Sequence, residues 1–185
     1  MAIRLELHED DEREMFRIRR ELVGWHHVTS DFTQESMAQK LGKSAKFIHK
    51  LETGKVHYHL SSLQMWAGLF DLRVEPKFWL NEGMDPCHPV PQNLIDEKAA
   101  LWTMSRPFEA HSWSRLHTVA NLVIARYRLG VKAELLGERL GVKSSAVFGW
   151  ERTSHDPFIS KLFTYARGLG GYMTFCLIER RDWRP

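Results

Sequence analysis

The segment from Thr33 to Lys55, TQESMAQKLGKSAKFIHKLETGK, decides the fold of this chain. Its apolar residues recur at spacings of one, three, four and seven, which predicts two short helices that meet at Gly42. Thr33 and Ser44 each precede an apolar run, where a hydroxyl can accept hydrogen bonds from the free N–H groups of a first helical turn. Gly42 suits the left-handed position that ends the first helix. The segment is therefore predicted to be a helix-turn-helix.

The second predicted helix has one apolar and one polar face. Ile48 and Leu51 form the apolar face. The opposite face carries Ala45, Lys46, His49 and Lys50. Two-helix corners also occur as plain packing motifs in helical proteins, but an exposed basic face favours a DNA-binding interpretation.

The letters TQ, MA, LG, S, I, LE and GK in this segment resemble the helix-turn-helix of Cro and phage repressors, without a gap. In that family the residue matching Gln34 contacts phosphate, and the one matching Lys55 lies near the DNA backbone. The resemblance implies that the major groove is lined by Ser44, Ala45, Lys46, His49 and Lys50. It also implies that the following loop lies along the phosphates, which makes Tyr58 and His59 candidate donors.

Composition sets the broad class of the protein. With 185 residues, 43% of them hydrophobic, the chain is long enough for one large or two small domains. A net charge of +3 is too mild to indicate a nucleic-acid partner by itself. Cys87 and Cys176 lack any metal-ligand spacing, and His57 and His59 lack the further ligands of a metal site. We therefore expect a cytoplasmic protein with free thiols and with no metal, cofactor, membrane span or small-molecule ligand.

The flanking segments are predicted to complete a helical domain. Asp10 to His27 has acidic residues in its first turn and a helical apolar stripe. Val74 to Leu80 is predicted to add a helical turn that begins at Pro76, since proline is favoured at the first helical position. Ala2 to His8 alternates as a short strand or an ordered arm would.

A proline-rich stretch, NEGMDPCHPVP at Asn81 to Pro91, is the best domain boundary in the sequence. We predict an N-terminal domain at 1–84, a linker at 85–113 with a helix from Gln92 to Met104, and a C-terminal domain at 114–185. The predicted fold class is mainly α, with two helix-turn-helix domains joined by a linker helix. Tyr172 to Ile178 is predicted to be a strand, paired with its own copy in a dimer or with Ala2 to His8.

The second half repeats the opening motif. Residues 132–166 align with residues 33–67 at a constant shift of 99 positions. Leu41 and Gly42 match Leu140 and Gly141, and Glu52 matches Glu151. We infer that one chain carries two DNA-reading helices.

The two copies differ at their exposed positions. Lys46 or Lys50 can donate hydrogen bonds to guanine O6 and N7, which suggests a half-site that contains guanine. In the second copy Ser144 and Ser145 can bond several base edges, Phe148 suits thymine methyl groups, and Gly149 leaves room for close approach.

The second copy also departs from the family pattern. Ala133 and Lys143 replace the glutamine and the capping serine, so a degenerate copy kept for stability or dimerisation is the alternative interpretation. The predicted phosphate contacts in the whole chain are Gln34, Lys43, Lys55, Tyr58, His59, Arg106, Arg115, Lys143 and Arg152. Two unlike readers would let a monomer bind a double-stranded operator that lacks symmetry. Dimerisation through the C-terminal strand is the alternative.

The paired motifs, the chain length and the lack of a peptidase domain resemble the immunity repressors of temperate mycobacteriophages. The resemblance implies transcriptional repression in a bacterial lysogen, without a cofactor. The alternative is an antitoxin-like or adaptor protein, whose second domain binds a protein partner through Phe148, Trp150 and the Tyr172 to Ile178 strand. An enzyme is not expected, because no HExxH, GxSxG, phosphate-binding glycine loop or paired-carboxylate pattern occurs.

Overall fold

The computed structural model describes residues 8–29, 32–55, 58–81, 110–152 and 156–179, with the backbone alone at 110–117. This part of the chain contains eight helices and one two-stranded antiparallel sheet. The mainly helical fold and the strand near the C-terminus are confirmed. The candidate strand at Ala2 to His8 and the predicted helix Gln92 to Met104 lie outside the described residues, and the division into domains stays a prediction.

The first half folds as four helices and a strand. These are α1 (Glu9–Val28), α2 (Gln34–Leu41), α3 (Ala45–Thr53), α4 (Leu60–Gly68) and β1 (Leu72–Leu80). The second half has the same order, with α5 (Ala110–Arg128), α6 (Ala133–Arg139), α7 (Ser144–Glu151), α8 (Ile159–Gly168) and β2 (Gly171–Glu179). The structural repeat is thus longer than the sequence repeat, because it includes the leading helix and the strand.

The predicted corner between α2 and α3 is confirmed. The Thr33 hydroxyl accepts from the Ser36 N–H at 3.1 Å, and the Ser36 hydroxyl accepts from the Thr33 N–H at 2.9 Å, which makes a reciprocal cap. The Ser44 hydroxyl accepts from the Phe47 N–H at 3.2 Å at the start of α3. Gly42 has φ 61°, a left-handed conformation in which a Cβ is disfavoured.

The corner between α6 and α7 has the same backbone path with fewer caps. Lys132 and Lys143 stand at the two N-cap positions and make no side-chain cap. Gly141 has φ 64°, as its counterpart Gly42 does. Since a lost N-cap costs about 1 kcal/mol, this corner depends more on packing than the first one does.

The prediction of a helical turn at Val74 to Leu80 was wrong, because this segment lies in strand β1. Pro76 pairs with Phe175 of β2. The Phe175 N–H donates to the Glu14 carboxylate at 2.6 Å and its C=O accepts from Arg17, so the polar backbone atoms of this pair face away from the sheet. A proline at such a position removes no bond between the strands. The sequence of this segment alone therefore does not distinguish a proline that starts a helix from a proline in a strand. The distinction requires the partner strand.

Strand β2 pairs antiparallel with β1, which neither sequence-based alternative anticipated. The outer edges of the sheet are covered by side chains. On β1, Gln64 accepts from the Val74 N–H at 3.1 Å and donates to the Val74 C=O. On β2, Glu14 and Arg17 bond the backbone of Phe175. These bonds occupy backbone groups that a second chain would need for strand addition.

Two pairs of residues show how the halves are related. Pro76 and Phe175 are equivalent under the shift of 99, and they pair directly in the sheet. His59 and Phe158 are also equivalent, and they form an isolated antiparallel bridge. A residue can lie opposite its own equivalent only on an axis of approximate twofold rotation. The two halves are thus related by an internal pseudo-twofold axis that passes through both pairs.

The backbone hydrogen bonds around the bridge obey the same symmetry. The Leu60 N–H donates to the Pro157 C=O at 3.1 Å, and the Ile159 N–H donates to the Tyr58 C=O at 2.9 Å. Leu60 is equivalent to Ile159, and Tyr58 to Pro157, so the two bonds are copies of each other. The His59 and Phe158 rings contact each other with centroids 3.8 Å apart and planes tilted by 33°.

The halves also exchange helix contacts across the axis. Helix α1 packs on β2 and helix α5 packs on β1, so each leading helix covers the strand of the other half. Asp11 on α1 is buried and accepts from Arg167 on α8 at 2.6 and 3.0 Å. One cluster of buried apolar side chains joins both halves. Among the described residues, no helix is long and apolar enough to cross a membrane.

Candidate nucleic-acid interface

Helix α3 presents a basic surface. Ile48 and Leu51 are buried in the shared core, and their burial fixes which face of α3 points outward. The outward face and the cap before it form the first surface, which consists of Ser44, Ala45, Lys46, His49 and Lys50. All of these are exposed except Ala45, which is half-buried. Within the described ranges, neither Lys46 nor Lys50 lies within 4 Å of a carboxylate, so both ammonium groups are free to bind a ligand.

A half-buried acid, Glu52, holds α3 in place. The Glu52 carboxylate lies 2.7 Å from the Nδ1 of His26 on α1, and it accepts from the Gln34 amide on α2 at 2.6 Å. The other His26 nitrogen lies 2.9 Å from the Phe32 C=O. The His26 and Glu52 side chains are only 11% and 12% exposed. The last turn of α3 is therefore fixed to both preceding helices, and its outward face is preorganised.

The second half contains the same kind of tie. Arg126 on α5 donates to the Glu151 carboxylate at 2.7 and 3.0 Å and to the Val131 C=O at 3.0 Å. The Tyr165 hydroxyl donates to Glu151 at 2.6 Å. Burial opposes the charge on Arg126, but the hydrogen bond and charge of Glu151 outweigh it and raise the pKa of Arg126 above its ordinary value. Burial, together with Glu151, raises the pKa of Tyr165 well above its ordinary range.

The equivalence of Glu52 and Glu151 was predicted from the sequence, but the partners of both residues were not. His26 and Arg126 are 100 positions apart rather than 99, because the loop before α6 is one residue shorter than the loop before α2. A constant shift therefore aligns the wrong residues in the leading helices. The signal that could have found them is a basic residue two positions before the last residue of each leading helix.

Helix α7 presents a different surface. The second surface consists of Lys143, Ser144, Ser145, Phe148 and Gly149, at the positions equivalent to the first surface. Lys143, Ser145 and Phe148 are exposed, and Ser144 and Gly149 are half-buried. The Phe148 ring is 45% exposed although Val147 beside it is fully buried. A Cβ built on Gly149 would meet no atom within 4 Å.

Six of the nine predicted phosphate contacts fall into three groups. Lys43, Lys55, Lys143 and Arg152 are exposed at the edges of the two surfaces. Gln34 is half-buried and bonds Glu52. Tyr58 is buried and its hydroxyl donates to the Leu51 C=O, while burial raises its pKa.

The remaining phosphate candidates lie apart from the surfaces or cannot be placed. His59 lies on the pseudo-twofold axis, and its Nδ1 is 3.0 Å from the Asp156 C=O. Arg106 lies outside the described residues, as does the side chain of Arg115. The structure thus brings the lysines and Arg152 to the two surfaces and directs Tyr58 into the core.

Charge separates the two surfaces further. Residues 33–55 contain five lysines and two glutamates, whereas the equivalent residues 132–154 contain four basic and three acidic residues. One of the two glutamates in the first segment is Glu52, which the tie engages. The first segment alone accounts for a charge equal to the net charge of the chain, +3. The segment around α3 is therefore more basic than its counterpart around α7.

A metal site receives no support from the described residues. Within 8–29, 32–55, 58–81, 110–152 and 156–179, no group of three or more His, Cys, Asp or Glu side chains is arranged to hold a metal ion. Comparison with protein-family models, curated proteins and solved structures finds no match to this chain.

Proposed function

We propose that this protein is a sequence-specific binder of double-stranded DNA that represses transcription. In this proposal each helix pair is a helix-turn-helix, and α3 and α7 enter the major groove. The observation that carries the proposal is the pair of half-buried acid ties at Glu52 and Glu151. Each fixes the second helix of a repeated corner, and the outward side chains of the two helices differ.

The first surface has the chemistry for base readout. Lys46 and Lys50 are exposed and have no carboxylate partner in the described part of the chain, so their ammonium groups are available to guanine O6 and N7. His49 beside them can donate or accept. Lys43 and Lys55 lie at either end of α3, where they can hold phosphates on the two sides of the groove.

The second surface would recognise DNA bases by their shape and through apolar contact. The exposed Phe148 ring suits the methyl group of thymine, and Ser145 can bond several base edges. Lys143 and Arg152 flank these residues and supply phosphate contacts. Tyr58 is not among the proposed phosphate contacts, because its hydroxyl donates to the Leu51 C=O.

The biological role in this proposal follows from the resemblance to mycobacteriophage immunity repressors. A protein of this kind would occupy an operator in a bacterial lysogen and silence transcription there, and it would need no cofactor. Because α3 and α7 belong to one chain, binding of one helix to DNA raises the effective concentration of the other at its own half-site. Each helix can therefore bind weakly by itself.

One observation favours a second function for the second half. Its surface is less basic than the first and includes an exposed phenylalanine, which also suits a protein partner. The alternative is thus an adaptor that binds DNA through α3 and a protein through α7. An isolated C-terminal fragment would lose β1, the partner strand of β2, so the test requires the full chain.

Selection of bound duplexes from random DNA with the full-length protein tests the proposal. We expect two conserved segments, one of which is lost from the selected sites when Phe148→Ala and Ser145→Ala are introduced together. Binding should also weaken by about 10³-fold or more between about 50 and 200 mM salt if six or more phosphates are contacted. An adaptor would yield one segment that is unaffected by the double substitution. Recovery of no preferred sequence would refute specific binding.

A further inference from the structure

The internal axis constrains how two reading helices can meet DNA. The antiparallel pairs His59–Phe158 and Pro76–Phe175 relate equivalent residues of the two halves by a twofold rotation. In dimeric helix-turn-helix proteins, two identical subunits related by such an axis read two half-sites in inverted orientation. Here the same relation exists within one chain, between subunit-like halves that differ in their exposed residues.

Chain length keeps the reading helices near this axis. Only six positions separate Thr53, the end of α3, from His59 on the axis, and seven separate Glu151, the end of α7, from Phe158. At about 3.4 Å per extended residue, the helix ends lie at most about 50 Å apart. The Tyr58 hydroxyl reaches back to the Leu51 C=O, which shortens the first path. A separation of about 34 Å, one turn of duplex, lies within this limit.

Rigid contacts maintain the relation between the halves. The strands pair along nine positions, the leading helices pack on each other's strands, and Asp156 of the second half caps α4 of the first. That cap uses the Asp156 carboxylate, which accepts from the Ser61 N–H at 3.2 Å and from the Ser61 hydroxyl. The two reading helices are therefore not independent modules on a flexible tether.

We infer that the chain is a fused pseudo-dimer whose DNA site consists of two half-sites of unlike sequence in inverted orientation, about one helical turn apart. The inference rests on the proposed function. The operator is asymmetric in its bases, since the first and second surfaces differ, but it has the geometry of a palindrome. Direct repeats are excluded because the twofold relation fixes the orientation of the half-sites, and independently spaced half-sites are excluded because the contacts between the halves hold the reading helices at one distance.

A surface graft tests this inference directly. The graft copies the first surface onto the second half, and it consists of Lys143→Ser, Ser144→Ala, Ser145→Lys, Phe148→His and Gly149→Lys. The reciprocal graft copies the second surface onto the first half, and it consists of Ser44→Lys, Ala45→Ser, Lys46→Ser, His49→Phe and Lys50→Gly. All ten positions are exposed or half-buried, and the ties at Glu52 and Glu151 are retained. Each variant is used for selection from random DNA, with monomeric mass verified by light scattering.

We expect each graft to convert the asymmetric selected site into an inverted repeat. A direct repeat, or two half-sites at variable spacing, would overturn the inference while leaving specific DNA binding intact. Failure of the parent protein to select any sequence would instead refute the proposed function. A second measurement does not depend on the folding of a variant. Reversing one half-site within the selected duplex should weaken parent binding at least about tenfold, and equal binding to both orientations would overturn the inference.

Discussion

Gly149→Ala should stabilise the protein and weaken its DNA binding, two effects of opposite sign from one methyl group. Gly149 lies inside α7, and no atom lies within 4 Å of the position its Cβ would occupy. Alanine inside a helix is more favourable than glycine by about 1 kcal/mol. For a chain of this size, 1 kcal/mol corresponds to a rise in melting temperature of about 2 to 4 °C.

The same methyl group would face DNA if α7 lies in the major groove. Gly149 is equivalent to Lys50 of the first surface, so its open side is the side proposed to approach bases. On the half-site that the parent α7 selects, a Cβ at position 149 would displace the helix from the base edges that glycine lets it approach, and we expect specific binding to weaken at least about tenfold, or about 1.4 kcal/mol. Calorimetry measures the melting temperature, and titration of a fluorescent duplex at fixed salt measures the affinity.

Two further glycines serve as controls. Gly24 on α1 also has open space around its Cβ and belongs to neither surface, so Gly24→Ala should stabilise the protein without changing affinity. Gly137 on α6 has a Cβ position 2.7 Å from the Val142 carbonyl oxygen, so Gly137→Ala should destabilise the protein. If Gly149→Ala bound the selected duplex as tightly as the parent does, close approach of α7 to DNA would be refuted.

Four other outcomes are expected. Lys50→Ala should cost about 1 to 3 kcal/mol at the preferred site and relax base selection there, whereas an equal loss on all sequences would indicate a phosphate contact. Phe148→Ala should weaken specific binding without lowering the melting temperature, and a large drop would mean that the ring supports the core. Glu151→Gln should cost about 3 to 5 kcal/mol in urea unfolding, because it leaves the Arg126 charge buried and unpaired. Since folding raises the pKa of Tyr165 above its ordinary value of 10.0, stability is retained below pH 10 and should fall as the pH rises further.

Substitutions of the same residue types outside the two surfaces and the two ties serve as controls. Lys77 is an exposed lysine on β1, and Lys77→Ala should change affinity far less than Lys50→Ala does. Phe16 on α1 is 54% exposed, and Phe16→Ala should leave affinity unchanged. Glu12 is exposed near the start of α1, and Glu12→Gln should cost well under 1 kcal/mol. For the pH effect, Tyr165→Phe should flatten the loss of stability in alkaline solution.

The local elements were predictable where short-range chemistry decides them. The caps at Thr33 and Ser44 and the left-handed Gly42 need only neighbours within a few residues, so the corner between α2 and α3 was found from the sequence. The exposed face of α3 followed from helical periodicity alone. Phe148 was also found as an exposed residue, because Val147 fixes which side of α7 is buried.

The parts that were missed depend on residues far apart in the chain. The ties join Glu52 to His26 and Glu151 to Arg126, and a one-residue difference in loop length concealed their equivalence. Pro76 satisfies the rules for a helix start and for an outward strand position equally well, so β1 was read as helix. Burial of Tyr58 likewise depends on how the loop after α3 folds back onto Leu51.

By itself, then, the sequence determined that the chain contains two related helical corners with different exposed residues, since periodicity, capping and repetition are local properties. Only the tertiary structure decided how these corners face one another. The pairing of β1 with β2 and of His59 with Phe158 joins segments about 100 residues apart, and such contacts depend on the shape and hydrogen-bonding needs of both partners at once. The internal twofold axis exists because each half leaves an unpaired strand that is satisfied by its own equivalent in the other half.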